Sequence, residues 1–412
     1  MSESPKPGEL FLVRPVAGLL ALLAALLPLR LARAAMESSF WLDEAYSALL
    51  AAMPVAQMID ATAVDAHPPL YYLALKGWLA AWRALGVEGV LAGRSLGAVA
   101  WIGACVVAWW GLRRLLGAAP GTLAAWAVAA CPAFGHGVRE MRNYALGPAA
   151  LLVCFVVLLV LALAPPKARG RQAALWALHG ACAAIAAWTH LLCAPVLASL
   201  GLLWIGLAAW RRDRGFIVGG LLAHGLAALS FVPWMLVLRG QLEYLGAVPT
   251  PWMTDPTAGN LARVFVVWLP LGSVWGAGWS TPLWSMLLGA AGLAALAAGT
   301  AWAASKARVE GERGAAFVAL AGVGLAVANV LLLWVLMRLE VARVFHGPRY
   351  PMLVAPIAWA GAAGVASWAA MRTRDARALA VLAPLLLASA TGQGWTARRE
   401  AAGGLAGGLR AL

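Results

Sequence analysis

Apolar segments of bilayer-crossing length, or close to it, recur along this chain and are separated by short clusters of arginine and lysine. The clusters are Arg113-Arg114, Lys167-Ala168-Arg169-Gly170-Arg171, Arg211-Arg212-Asp213-Arg214, and the stretches 306–313 and 372–377. Each apolar segment must satisfy its own backbone in lipid, which it does as a helix. Only 12% of the residues are charged and 63% are hydrophobic, where soluble proteins carry about 25% charged residues. No polar stretch is long enough for a separate soluble domain. The expected class is an all-α polytopic membrane protein with one membrane domain spanning residues 1–412.

The basic clusters also set the topology, because short basic loops stay on the cytoplasmic side. A first span is expected at 16–29. The apolar segment 68–82 falls short of the ~20 residues a span needs, and Lys76 interrupts it. If it crossed, all five clusters would flip outward. It therefore reads as a juxtamembrane helix on the outer face, with Lys76 reaching toward headgroups. Further spans are expected at 91–110, 123–134, 144–163, 173–188, 191–210, 216–238, 283–304, 315–337, 352–370 and 379–390, about eleven crossings in all. The chain thus divides into an outer loop with juxtamembrane helices (36–90), a helix module (91–238), a second outer loop (239–281) and C-terminal helices (282–412).

The net charge of +14 invites a nucleic-acid reading, but the basic residues sit where membrane topology places them. The five cysteines, Cys105, Cys131, Cys154, Cys182 and Cys193, show no paired or metal-like spacing and read as small buried hydrophobes. Lys6, Arg14 and Ala32-Arg33-Ala34 imitate a signal peptide around the first apolar run. With many spans following, that run reads as an uncleaved anchor.

In this topology the unusual polar residues gather on the outer side: Asp43, Glu44, Asp65, His67, 139–144, His190, Glu243, Tyr244, Asp255, and 338–350. The spans are nearly free of ionisable groups, with His179 and His224 the main exceptions. A coupled transporter is expected to carry charge or helix breaks near mid-membrane, so the pattern favours chemistry at the outer surface over transport. A lipid-linked sugar flippase or other transporter is the rival from another class.

The stretch 40–72 is where chemistry is expected. Asp43-Glu44 opens an amphipathic segment and is either a general base with its neighbour or a helix-capping acidic pair. Asp65-Ala66-His67 before Pro68-Pro69 is either a helix entry or a metal or phosphate ligand set. Arg139 and Arg142, one helical turn apart, suit either a phosphate clamp or headgroup anchoring. Both readings also apply to Arg349-Tyr350. His190 at a span end is either interfacial or a site residue.

In order, the chain carries Trp41-Leu42-Asp43-Glu44-Ala45-Tyr46, His67-Pro68-Pro69-Leu70-Tyr71-Tyr72, Arg94, Arg113-Arg114-Leu115-Leu116-Gly117, Arg139-Glu140-Met141-Arg142-Asn143-Tyr144-Ala145-Leu146, Trp188-Thr189-His190 and Pro348-Arg349-Tyr350. This succession resembles the bacterial branch of the GT-C membrane glycosyltransferases, relatives of the protein O-mannosyltransferases and lipid A aminoarabinose transferases. The resemblance is densest before residue 200. It implies inverting transfer of a sugar from a polyprenyl-phosphate donor to a glycan, lipid or protein acceptor on the periplasmic or extracellular face of a bacterial inner membrane. It maps the catalytic aspartate onto Asp43, with Glu44 beside it and Glu140 as the acid of a second outer loop. Arg142, Arg139 and Arg349 are the expected donor-phosphate ligands. Tyr46, His67, Tyr71, Tyr72, Tyr144, His190 and Tyr350 are the expected substrate contacts. Asp65 and His67 are the candidate ligands of a divalent cation.

Overall fold

The computed structural model describes residues 42–65, 67–129, 131, 140–247, 256–261, 305, 313–339 and 351–373. Among them every regular element is helical. The helices are α1 (Leu42–Ala52), α2 (Val55–Ala63), α3 (Leu70–Ala84), α4 (Val90–Leu116), α5 (Ala118–Ala129), α6 (Leu146–Leu163), α7 (Arg169–Thr189), α8 (Cys193–Arg211), α9 (Arg214–Ala247), α10 (Arg313–Arg338) and α11 (Ala355–Thr373), the last preceded by a 3₁₀ turn over Pro351–Val354. Five of them, α4, α6, α8, α9 and α10, are long and apolar enough to cross a membrane. The chain is a polytopic, all-helical integral membrane protein. The expected spans at 16–29, 283–304 and 379–390 lie outside the described residues.

Helix α6 has no polar face, and the fold explains why: every residue from Gly147 to Ala162 is buried, as a helix apolar all round requires. It packs against α4, α7, α8 and α11, and α9 packs on α7. Small residues allow the close approaches. A Cβ on Gly322 of α10 would stand 2.8 Å from Gly361 Cα of α11, so the two backbones touch as small-residue membrane interfaces do. On α9, Gly219 and Gly220 receive the indoles of Trp176 and Trp204.

The two ends of this bundle differ. At one end Arg114 Nε donates to Ala164 O at 2.8 Å and Arg211 Nη1 donates to Ala162 O, so guanidinium groups from α4 and α8 satisfy carbonyls that the end of α6 leaves open. Asp213 Oδ1 accepts from Phe216 N at 2.8 Å and caps α9. Three of the five basic clusters therefore lie at this end, at the termini of α4, α7, α8 and α9.

At the opposite end sit α1–α3 and residues 140–145, which lead into α6. Helix α3 buries Tyr71, Tyr72 and Leu75 against Leu50, Met58 and Met141, and Trp78 Nε1 donates to Ser95 Oγ near the start of α4 at 2.8 Å. It packs at this end without running the length of the bundle, consistent with a juxtamembrane helix. Lys76 differs from expectation. Instead of reaching toward headgroups, its ammonium donates to Ala51 O at 3.1 Å and Met53 O at 2.8 Å, where the end of α1 presents carbonyls that its own helix does not pair. Helix α9 also differs, continuing to Ala247, into the segment read as outer loop.

Candidate functional site

Helix α1 begins with Leu42-Asp43-Glu44, its acidic first turn favoured by the helix dipole. The two carboxylates then diverge. Glu44 is fully buried. Arg94 of α4 forks onto it, Nε to Oε1 at 2.7 Å and Nη2 to Oε2 at 2.6 Å, and the backbone N–H of Met141 donates to Oε1 at 2.7 Å. Three segments distant in sequence thus meet on one carboxylate. Asp43, one residue earlier and about 100° around the helix, is only half-buried.

The Met141 bond fixes the loop that carries Arg142, which is itself buried. Its Nη1 donates to Ser47 Oγ at 3.3 Å, Tyr72 Oη at 3.5 Å and Asp43 O at 3.5 Å. Its guanidinium carbon lies 5.9 Å from the Tyr144 ring centroid, within cation–π reach. Burial works against the charge on Arg142, but Tyr72, Tyr144 and Asp43 more than restore it, holding its pKa above the ordinary guanidinium value. Its Nε is buried without a hydrogen-bond partner. A buried guanidinium with one N–H unpaired can take an anion as a further acceptor.

Beneath Arg142 lie two histidines. The His67 and His190 rings are 4.6 Å apart, and His190 is 5.8 Å from the Tyr144 ring. Leu192 N donates to His190 Nδ1 at 3.1 Å, so the neutral ring carries its proton on Nε2. Burial, then the charge of Arg142, lowers the His190 pKa to about 3. Burial, then His190 and Arg142, pushes His67 well below the usual histidine range. Burial keeps Tyr71 and Tyr72 protonated, although Arg142 pulls the other way. Near neutral pH the cluster offers hydroxyl donors and neutral imidazoles around Arg142.

The structure thus brings together Asp43, Glu44, Arg142, Tyr71, Tyr72, Tyr144, His67 and His190. Tyr46 and Asp65 lie within electrostatic reach of Tyr72, and Glu140 within reach of Tyr71. Arg139, Arg349 and Tyr350 lie outside the described residues. Among the described residues no three His, Cys, Asp or Glu side chains converge to hold a metal ion. Asp65 and His67 find no third ligand of these types there. Four participants were not singled out as site residues by the sequence. Ser47 and Arg94 are two. Asn143 Nδ2 donates to Thr189 O at 3.0 Å, and Gln241 of α9 reaches the first loop. Arg94 carried a signal as an isolated charge on an apolar helix, and Asn143 lies within the succession 139–146; Ser47 and Gln241 carried none.

The helix arrangement is the GT-C fold of membrane glycosyltransferases. ArnT from Cupriavidus metallidurans bound to undecaprenyl phosphate superposes with a TM-score of 0.54 at 15% identity, over 89% of this chain and 62% of that one. The chain therefore spans less than two thirds of that protein's length, and the likeness is one of fold. The same ArnT in its apo state gives a TM-score of 0.43 at 14% identity, covering 85% of this chain and 78% of that one. The Archaeoglobus fulgidus oligosaccharyltransferase, in complex with zinc and sulfate, gives 0.44 at 13% identity, covering 80% and 44%. No protein-family model matches the chain, and no curated protein matches it in sequence.

Proposed function

We propose that this protein is an inverting glycosyltransferase that moves a monosaccharide from a polyprenyl-phosphate carrier to a glycan, lipid or protein acceptor. The observation that carries the reading is Arg142. It is a buried guanidinium with its Nε unpaired, bonded to the hydroxyls of Tyr72 and Tyr144, with its Nη1 against the backbone of Asp43. The fold supports it, since the ArnT structure to which the chain is similar is bound to undecaprenyl phosphate.

The chemistry follows from the arrangement. The acceptor hydroxyl gives its proton to the Asp43 carboxylate as its oxygen bonds to the anomeric carbon. The bond from that carbon to the phosphate oxygen breaks, and polyprenyl phosphate leaves with the electron pair. Arg142 and the hydroxyls of Tyr72 and Tyr144 take up the developing charge in a site poor in water. One displacement gives inversion, and protonated Asp43 later releases its proton to solvent. Glu44 does not share this task, because Arg94 and the Met141 N–H occupy its oxygens. We assign it to holding Asp43 and Arg142 in register. We assign Glu140, Tyr46 and Asp65 to the acceptor side, and Arg139, Arg349 and Tyr350 to further contacts with the donor. The site lies at the bundle end opposite Arg113-Arg114, Arg169 and Arg211, which supports a periplasmic or extracellular active site in a bacterial inner membrane.

The test is transfer of radiolabelled sugar from a panel of polyprenyl-phosphate monosaccharides to membrane extracts by the purified, reconstituted wild type. Transfer from one donor supports the reading and names the sugar. No transfer from any donor, together with movement of intact lipid-linked sugar across the vesicle membrane, would replace it with the flippase reading.

A further inference from the structure

Helix α9 is longer than a membrane span requires, and its last turns reach the site end. There Phe231 and Trp234 pack with Ala187, Trp188 and Ala63, the last residue of α2. One turn beyond Val237 stands Gln241, fully buried. Its amide Nε2 donates both hydrogens, to Thr62 O at 2.8 Å and to Asp65 O at 2.6 Å. Those carbonyls belong to the final turn of α2 and to the residue two before His67. The same amide's Oε1 is buried with no hydrogen-bond partner. Only the donor half of the side chain is used.

The geometry points to Gln241 as a positioning residue for the donor site: its two bonds hold Thr62 and Asp65 so that His67 stands against His190, close to Arg142. This deepens the glycosyltransferase reading and rests on it. Within the turn Thr62 O already accepts from Asp65 N at 3.2 Å; what Gln241 adds is a tie from that turn to α9, and losing it would leave a buried amide's donors bare, which is costly. Beyond it Pro68 and Pro69 lead into α3 and its buried Tyr71 and Tyr72, so a shift at residues 62–65 passes directly to His67 and onward to the tyrosines. The requirement is for two N–H donors at one point. Glutamate has the shape without the donors and would set its charge against two carbonyl oxygens. Methionine has the volume without polarity.

Two readouts on the full-length protein test this. Hydrogen–deuterium exchange of the peptide covering 60–67 reports the turn without reference to activity. It is expected to quicken about 10-fold in Gln241→Met, the effect of one or two lost hydrogen bonds, and further in Gln241→Glu. Kinetics of sugar transfer should show donor KM raised about 10–30-fold with kcat changed far less. In a His67→Ala background Gln241→Met should add little, since its effect runs through His67. Quickened exchange with wild-type donor KM would overturn the positioning role, as would a full additional loss in the His67→Ala background. Exchange unchanged in both variants would overturn the geometry. If the wild type transfers no sugar, the function reading fails while the exchange result still decides whether Gln241 holds the turn. Should Gln241→Met fail to fold, Gln241→Asn, which keeps the donors one methylene out of reach, takes its place in both assays.

Discussion

Replacing Arg94 by methionine isolates what holds the site together. Glu44 is fully buried, and the Arg94 side chain is 7% exposed, so solvent screens the pair very little. Its removal leaves Glu44 buried without the guanidinium that forks onto both its oxygens. Breaking a buried pair in this way costs about 3–5 kcal/mol. With an unfolding entropy that scales with length, a chain of 412 residues should lose about 4–6 °C in Tm. The double variant Arg94→Met/Glu44→Met removes both charges and should recover most of that stability, because two apolar side chains of similar volume pack where the pair stood. Transfer should stay low in the double variant, since the Met141 N–H loses its acceptor and the loop bearing Arg142 loses its anchor. The assay is thermal unfolding in detergent by intrinsic tryptophan fluorescence, with transfer measured on the same preparations. An unchanged Tm in Arg94→Met would refute the buried-pair argument. Glu44→Gln with wild-type Tm and no transfer would return Glu44 to the chemistry.

Three further outcomes are expected. The His190 pKa falls from 6.5 to about 3 on folding, so the unfolded chain binds more protons between those values and stability rises with pH there. The contribution is complete above pH 6.5 and is lost as pH falls toward 3, at up to about 1.4 kcal/mol per unit; His190→Gln should flatten this slope in melts at pH 4–7, and an unchanged slope would contradict it. Arg142→Gln should weaken polyprenyl-phosphate binding about 10–100-fold, the worth of a charge-assisted hydrogen bond, by fluorescence titration. A cysteine at Ala84, the exposed end of α3, should react with a membrane-impermeant reagent added from outside intact cells; labelling only after permeabilisation would reverse the topology.

The helices were legible because their signal is local. Apolar length and the position of arginine clusters place α6, α7, α8 and α10 within about four residues of the expected spans, while α4 and α9 run on past them, to Leu116 and Ala247. The site was legible only where residue types cluster along the chain, as at Asp43-Glu44 and Glu140-Met141-Arg142. What divides Asp43 from Glu44 is a partner on another helix, Arg94, fifty positions away, and no local pattern announces it. Gln241 lies 176 residues from Asp65 and reads in sequence as a helical glutamine. Lys76 was misjudged for the same reason. A lysine near a bilayer has many possible acceptors, and only the packing of α1 on α3 brings the carbonyls of Ala51 and Met53 within reach.

The central claim is that Asp43 takes the acceptor proton while Arg142 holds the donor. It is met most directly by Asp43→Asn, with sugar transfer and polyprenyl-phosphate binding measured on one purified sample. Asparagine keeps the shape and the backbone carbonyl that Arg142 contacts, so donor binding should stay within a few-fold of wild type. Transfer should fall about 10²–10⁴-fold, the contribution of a positioned general base. Transfer at the wild-type rate, or loss of donor binding in step with loss of transfer, would contradict the account.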